Sequence, residues 1–130
     1  MSEMVAEWTL PKPTPGPDQQ KGRFGGKYKR NGRYLTAEVT SVSGDKDWYR
    51  VRLRVFPEPG QPPIEGKATF YLHQSFEEDE IRIKAKQGEA TLTIYSYGAF
   101  TVGAVVDDGN TPLELDLAEL TTAPKRFRER

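Results

Sequence analysis

Cysteine is absent from these 130 residues, and histidine occurs once, as His73. Without thiols there is no disulfide framework, no thiolate zinc site and no cysteine nucleophile, and one imidazole cannot build a histidine metal centre. No metal or other cofactor is expected. Net charge is missing too. The 19 Lys plus Arg balance the 19 Asp plus Glu, so attraction to nucleic acid or an anionic membrane would have to come from a local patch. No apolar run approaches the ~20 residues of a membrane helix, and Met1-Ser2-Glu3-Met4 has no basic-then-apolar signal pattern. A soluble, cytoplasmic protein is the expectation. The sequence also has no substantial 3.6-residue periodicity; only the stretch from Asp116 to Leu120 suggests a helical turn.

What the chain does have is alternation of period two. Tyr49, Val51, Leu53 and Val55 alternate with Arg50, Arg52 and Arg54, which gives one core face and one row of arginines. Tyr34, Ala37, Val39 and Val42 mark an earlier strand. Strand-length segments follow at 66–73, 81–86, 90–96, 99–106 and 113–117, with Gly, Pro and Asp between them. Seven to eight short antiparallel strands and no helix of note predict an all-β, immunoglobulin-like sandwich, because such sheets bury their apolar faces by stacking on each other.

The ends differ in composition. Residues 1–21 include Pro11, Pro13, Pro15 and Pro17 with Gly16 and read as a flexible tail or linker to another domain; Trp8 is its one aromatic residue. The folded domain is assigned to 22–122, and 123–130 reads as a basic tail. Between Lys21 and Arg33 six cations, Lys21, Arg23, Lys27, Lys29, Arg30 and Arg33, interleave with Phe24 and Tyr28 without an acid. This stretch reads as a solvated lead-in first and a phosphate-binding patch second.

Two loops interrupt the strand pattern. In the first, Leu72-His73-Gln74-Ser75-Phe76 runs into Glu77, Glu78, Asp79 and Glu80. In the second, Ser96-Tyr97-Gly98-Ala99-Phe100 places Gly98 where an unusual backbone is expected. If both loops meet at one end of a sandwich, Phe76 and Tyr97 form two aromatic walls, Ser75 offers a hydroxyl that His73 orients, and the Tyr97 N–H is a donor. Such a slot suits a flat, neutral amide. A Ser–His hydrolase is disfavoured: no acid is placed to orient His73, and no Gly-x-Ser-x-Gly elbow is present. The bland alternative is that His73, Phe76, Tyr97 and Phe100 plug the end of the sandwich.

These residues resemble the YEATS family, its prokaryotic branch in particular. The likeness is carried by Asp47-Trp48 before Tyr49-Arg50-Val51-Arg52-Leu53, by Leu72-His73-Gln74-Ser75-Phe76, by Ser96-Tyr97-Gly98-Ala99-Phe100, and by Leu113-Glu114-Leu115-Asp116-Leu117. It implies an immunoglobulin-like fold and, as in eukaryotic members, recognition of acetylated or crotonylated lysine without catalysis. Carried over by position, Phe76 and Tyr97 sandwich the acyl group, Ser75 and the Tyr97 N–H bond its amide, and His73, Ser96, Gly98 and Phe100 support the pocket. Two departures stand out. Ser43-Gly44-Asp45-Lys46 lacks an aromatic that many eukaryotic members have there, and the second loop reads Tyr-Gly-Ala-Phe where theirs reads Tyr-Ala-Gly-Phe.

The expected function is therefore a recognition module for acylated lysine or a similar side chain, within a bacterial signalling or conflict system. Glu77, Glu78 and Asp79 would contact basic residues of the flanking peptide. The alternative is an assembly module with a vestigial pocket. A protein or peptide partner is expected, nucleic acid and membrane are not, and the isolated domain is expected to be a monomer.

Overall fold

The alternation around Val51 becomes a long strand with Tyr49, Val51, Leu53 and Val55 buried and Arg50 and Arg52 exposed. The computed structural model describes residues 16–42 and 45–130. Trp8, the prolines up to Pro15 and the Ser43-Gly44 position lie outside the described residues. The elements are β1 Lys29–Arg30, β2 Arg33–Val42, β3 Asp45–Pro57, β4 Lys67–Tyr71, β5 Glu80–Lys84, β6 Ala90–Ser96, β7 Thr101–Val106 and β8 Thr111–Asp116, followed by a 3-10 turn Leu117–Glu119 and a short helix α1 Lys125–Arg128.

The strands form two antiparallel sheets, β1-β2-β3-β6 and β5-β4-β7-β8. The fold is all-β and sandwich-like, as the strand count implied. Between the sheets Leu35, Val51, Leu53 and Val55 meet Ala68, Phe70, Leu72, Val102, Ala104, Val106 and Leu113, all fully buried. Each such Leu, Val or Phe removes enough apolar surface from water to contribute roughly 1.5–3 kcal/mol before entropy is charged against it.

β1 has no counterpart in the sequence reading. It is two residues long and joins β2 through Asn31 and Gly32 at φ 52° and 74°, the left-handed pair that a tight hairpin requires. The six cations around it are largely engaged. Lys21 pairs with Asp116, Lys29 with Glu58 and Arg33 with Asp107, while Arg23 lies over the rings of Phe24 and Tyr71.

The segment before β1 crosses the outer face of the second sheet. Asp18 accepts from the Thr101 N–H and hydroxyl at 3.0 and 2.7 Å, and Gln20 donates to the Leu72 carbonyl at 2.9 Å. Glu114 accepts from the backbone N–H groups of Gly22 and Phe24. Phe24 is fully buried over Gly103, where an added Cβ would sit 2.1 Å from its ring. That contact explains a glycine in the middle of β7, a strand otherwise buried on both faces. At the other end Phe127 on α1 is fully buried, edge-on to Tyr49 at 5.2 Å. The boundaries drawn from composition at 21/22 and 122/123 thus run through packed segments: residues 17–24 form a strap, and α1 closes one end of the core.

Candidate ligand pocket

The two loops singled out in the sequence meet at one end of the sandwich, where they enclose an open cavity of about 530 Å³. His73, Ser75, Phe76, Ser96, Tyr97, Gly98 and Phe100 all line it. Of the three acids expected to flank it, Glu77 lines the cavity; Glu78 and Asp79 are exposed farther along the same loop. Trp48, Tyr95, Ala99 and Arg130 complete the wall. The sequence reading had not assigned these four to the pocket.

Local hydrogen bonds shape each loop. The Phe76 N–H donates to the His73 carbonyl at 3.0 Å, closing a turn that carries Ser75 at its bend. The Ser96 hydroxyl donates to the Gly98 carbonyl at 2.7 Å, and the Ala99 N–H donates to the Phe127 carbonyl at 3.1 Å. Phe100 is the floor: it is 6% exposed, with Phe76 at 5.3 Å and His73 at 6.2 Å between ring centroids. Tilted and edge-on rings at these spacings are favourable by about 0.5–1.5 kcal/mol beyond their buried area.

Gly98 was expected to need an unusual backbone. Its φ does not lie in the left-handed region, so the reason for glycine is space: a Cβ there would lie 2.8 Å from the Arg130 Cβ and backbone oxygen. The signal was present in the sequence as a glycine, but the neighbour that demands it is 32 positions away and visible only in the fold.

The polarity of the site follows from His73. Its Nε2 lies 2.7 Å from the Pro17 carbonyl, which can only accept, so Nε2 carries the proton. Its Nδ1 lies 3.1 Å from the Ser75 backbone N–H, which can only donate, so Nδ1 is the acceptor. The Ser75 hydroxyl, 2.8 Å from Nδ1, therefore donates to it and keeps oxygen lone pairs free to accept from a ligand N–H. No carboxylate contacts His73 among the hydrogen bonds of the described residues. The imidazole is oriented by the Pro17 carbonyl.

Among the described residues, three of the four exposed large hydrophobic side chains lie at this end: Trp48 at 46%, Tyr95 at 56% and Tyr97 at 55% exposure. Grouped aromatic exposure of this sort marks an interaction surface more often than a neutral one. One face of Tyr97 is covered by Arg130, whose guanidinium carbon lies 3.5 Å from the ring centroid. Among the described residues no cluster of three or more His, Asp or Glu is placed to hold a metal ion. No helix among them is long and apolar enough to cross a membrane.

In comparison with known proteins, residues 49–118 match the family described as the prokaryotic YEATS domain. No curated protein and no solved structure matches the chain. The matched span contains both pocket loops; the strap, Trp48 and α1 lie outside it.

Proposed function

This chain belongs to the prokaryotic YEATS domain family, and from that membership we propose that it is a non-enzymatic reader whose end pocket takes the acylated side chain of a lysine, or a similar flat, neutral amide. The observation that carries the reading is the fixed polarity of Ser75. Its hydroxyl donates inward to His73 and so presents an acceptor to the cavity, which is what a secondary amide N–H requires. Phe76, Phe100 and the uncovered part of Tyr97 supply the apolar walls. An amide entering such a site exchanges its water contacts for one hydrogen bond, worth about 0.5–1.5 kcal/mol net, and ring contacts of similar size.

The acids beside the cavity favour a ligand peptide with basic neighbours, through rim attraction that salt screens. A cytoplasmic bacterial signalling or conflict setting fits the family.

The test is an NMR titration of the protein with acetyl-lysine, crotonyl-lysine and unmodified-lysine peptides. Saturable shifts at Ser75, Phe76 and Tyr97 from the acylated peptides alone, abolished in Phe76→Ala and Tyr97→Ala variants that keep their dispersion, are the expected result. Silence with every peptide removes the reading. An assembly module is the second reading, favoured by β5 and β6, which are each the last strand of their sheet and so leave an edge for another chain. A stable oligomer indifferent to both pocket variants would select it.

A further inference from the structure

Arg130 is out of place for a surface arginine. It follows the buried Phe127 by three positions, yet its own side chain is only 14% exposed. The guanidinium lies over the ring of Tyr97, its carbon 3.5 Å from the centroid, and its Nη2 reaches Asp47 Oδ1 at 3.5 Å. Asp47 lies two positions before the Tyr49–Val55 core run and is 59% exposed, so this carboxylate faces solvent beside Arg130, which lines the cavity. Arg126 approaches the same oxygen at 3.2 Å from the outside. An aromatic face, a carboxylate beside it and a wall of the cavity together form a seat for a planar cation.

We propose that Tyr97 and Asp47 form a guanidinium seat at the mouth of the pocket, which the chain's own Arg130 fills and which an arginine side chain of a peptide partner occupies in its place. Two observations make Arg130 an exchangeable occupant. Its hold rests on the Tyr97 ring and is incomplete elsewhere: the Nη2 contact to Asp47 is at the limit of a hydrogen bond, and Nη1, although shielded from solvent, has no hydrogen-bond partner. A fixed structural arginine would normally have that donor satisfied. Its departure is also inexpensive to the core, since the anchor of α1 is Phe127 against Tyr49 and the Phe127 carbonyl to Ala99, none of which involves the Arg130 side chain.

An incoming arginine has chemistry in its favour at the same place. Stacking on a tyrosine and pairing with a carboxylate is the geometry a guanidinium forms and an ammonium does not reproduce. The exposed acids Glu77, Glu78 and Asp79 lie on the neighbouring loop and draw a basic peptide toward the cavity that Glu77 lines. The seat shares Tyr97 with the acyl-amide slot, but it adds Asp47 and takes a charged ligand where the slot uses Ser75 and Phe76 on a neutral one, so the two readings fail separately.

The experiment titrates N-acetyl-arginine amide, with its neutral isostere N-acetyl-citrulline amide as control, into the wild-type protein and into Arg130→Ala, and follows backbone and ring NMR signals of Asp47 and Tyr97. No acylated peptide is used, so failure of the acyl-lysine reading leaves the result unaffected. Arg130→Ala should bind the arginine compound saturably and at least five-fold more tightly than either the citrulline compound or the wild-type protein, and Asp47→Asn in the Arg130→Ala background should remove the preference. Equal binding of arginine and citrulline by Arg130→Ala, no binding of either, or equal arginine binding by wild type and Arg130→Ala would overturn the proposal. Unchanged dispersion of the remaining signals verifies that each variant is folded.

Discussion

The Pro17 carbonyl accepts a hydrogen bond from His73 Nε2 at 2.7 Å, across 56 positions of sequence, so the strap that precedes the sheets determines which way the pocket's serine points. The His73 ring should accordingly be the Nε2–H tautomer in the free protein at neutral pH, readable by long-range ¹⁵N–¹H correlation. The opposite tautomer would contradict the arrangement.

Ser75→Ala should lower affinity for an acyl-lysine peptide by about ten-fold, the size of one hydrogen bond. Replacing the ligand's amide N–H by an ester oxygen should cost the wild-type protein a similar factor and cost Ser75→Ala little more. Additive losses in that cycle would mean that the hydroxyl and the N–H do not meet.

Phe24 and Gly103 are coupled by space alone. Gly103→Ala places a methyl group where the Phe24 ring lies, and overpacking of this kind costs about 1–3 kcal/mol. With Phe24→Ala already present, Gly103→Ala should cost far less, since the ring is gone. Urea unfolding of the two single variants and the double variant measures the coupling.

Arg33 and Asp107 supply a pH dependence of stability. Burial pushes the Asp107 carboxyl up, but hydrogen bonds from Arg33 and Thr111 and the Arg33 charge outweigh it and hold it below its ordinary value. A carboxyl whose folded pKa is the lower one stabilises the protein fully above the ordinary aspartate range, and that contribution is lost as pH falls through the folded pKa. Asp107→Asn should lower stability near neutral pH by about 1.5–3 kcal/mol, the range for a charged hydrogen bond, and flatten the acid side of the stability profile. An unchanged acid limb would assign the dependence elsewhere.

Phe127→Ala should cost about 3–5 kcal/mol, as for other fully buried phenylalanines, and should also loosen the pocket, because the Phe127 carbonyl holds the Ala99 N–H. Thermal unfolding reports the first effect and hydrogen exchange at Ala99 the second.

The strands were legible because alternation is a local property: each residue of the Tyr49–Val55 run declares its face through its neighbours two positions away, and β6 matches its expected bounds at 90 and 96. The pocket loops could be picked out for the same reason, as polar and aromatic breaks in that alternation. The strap and α1 were hidden in segments whose composition reads as tail, because what orders them is long-range: Asp18 at Thr101, Phe24 over Gly103, Phe127 at Tyr49. Sequence by itself therefore determined the sheets and named the residues at their end. Only the tertiary structure decided that both loops share one cavity, that Pro17 sets the polarity of His73 and Ser75, and that Arg130 lies on Tyr97, since each joins groups whose separation along the chain leaves no periodic trace.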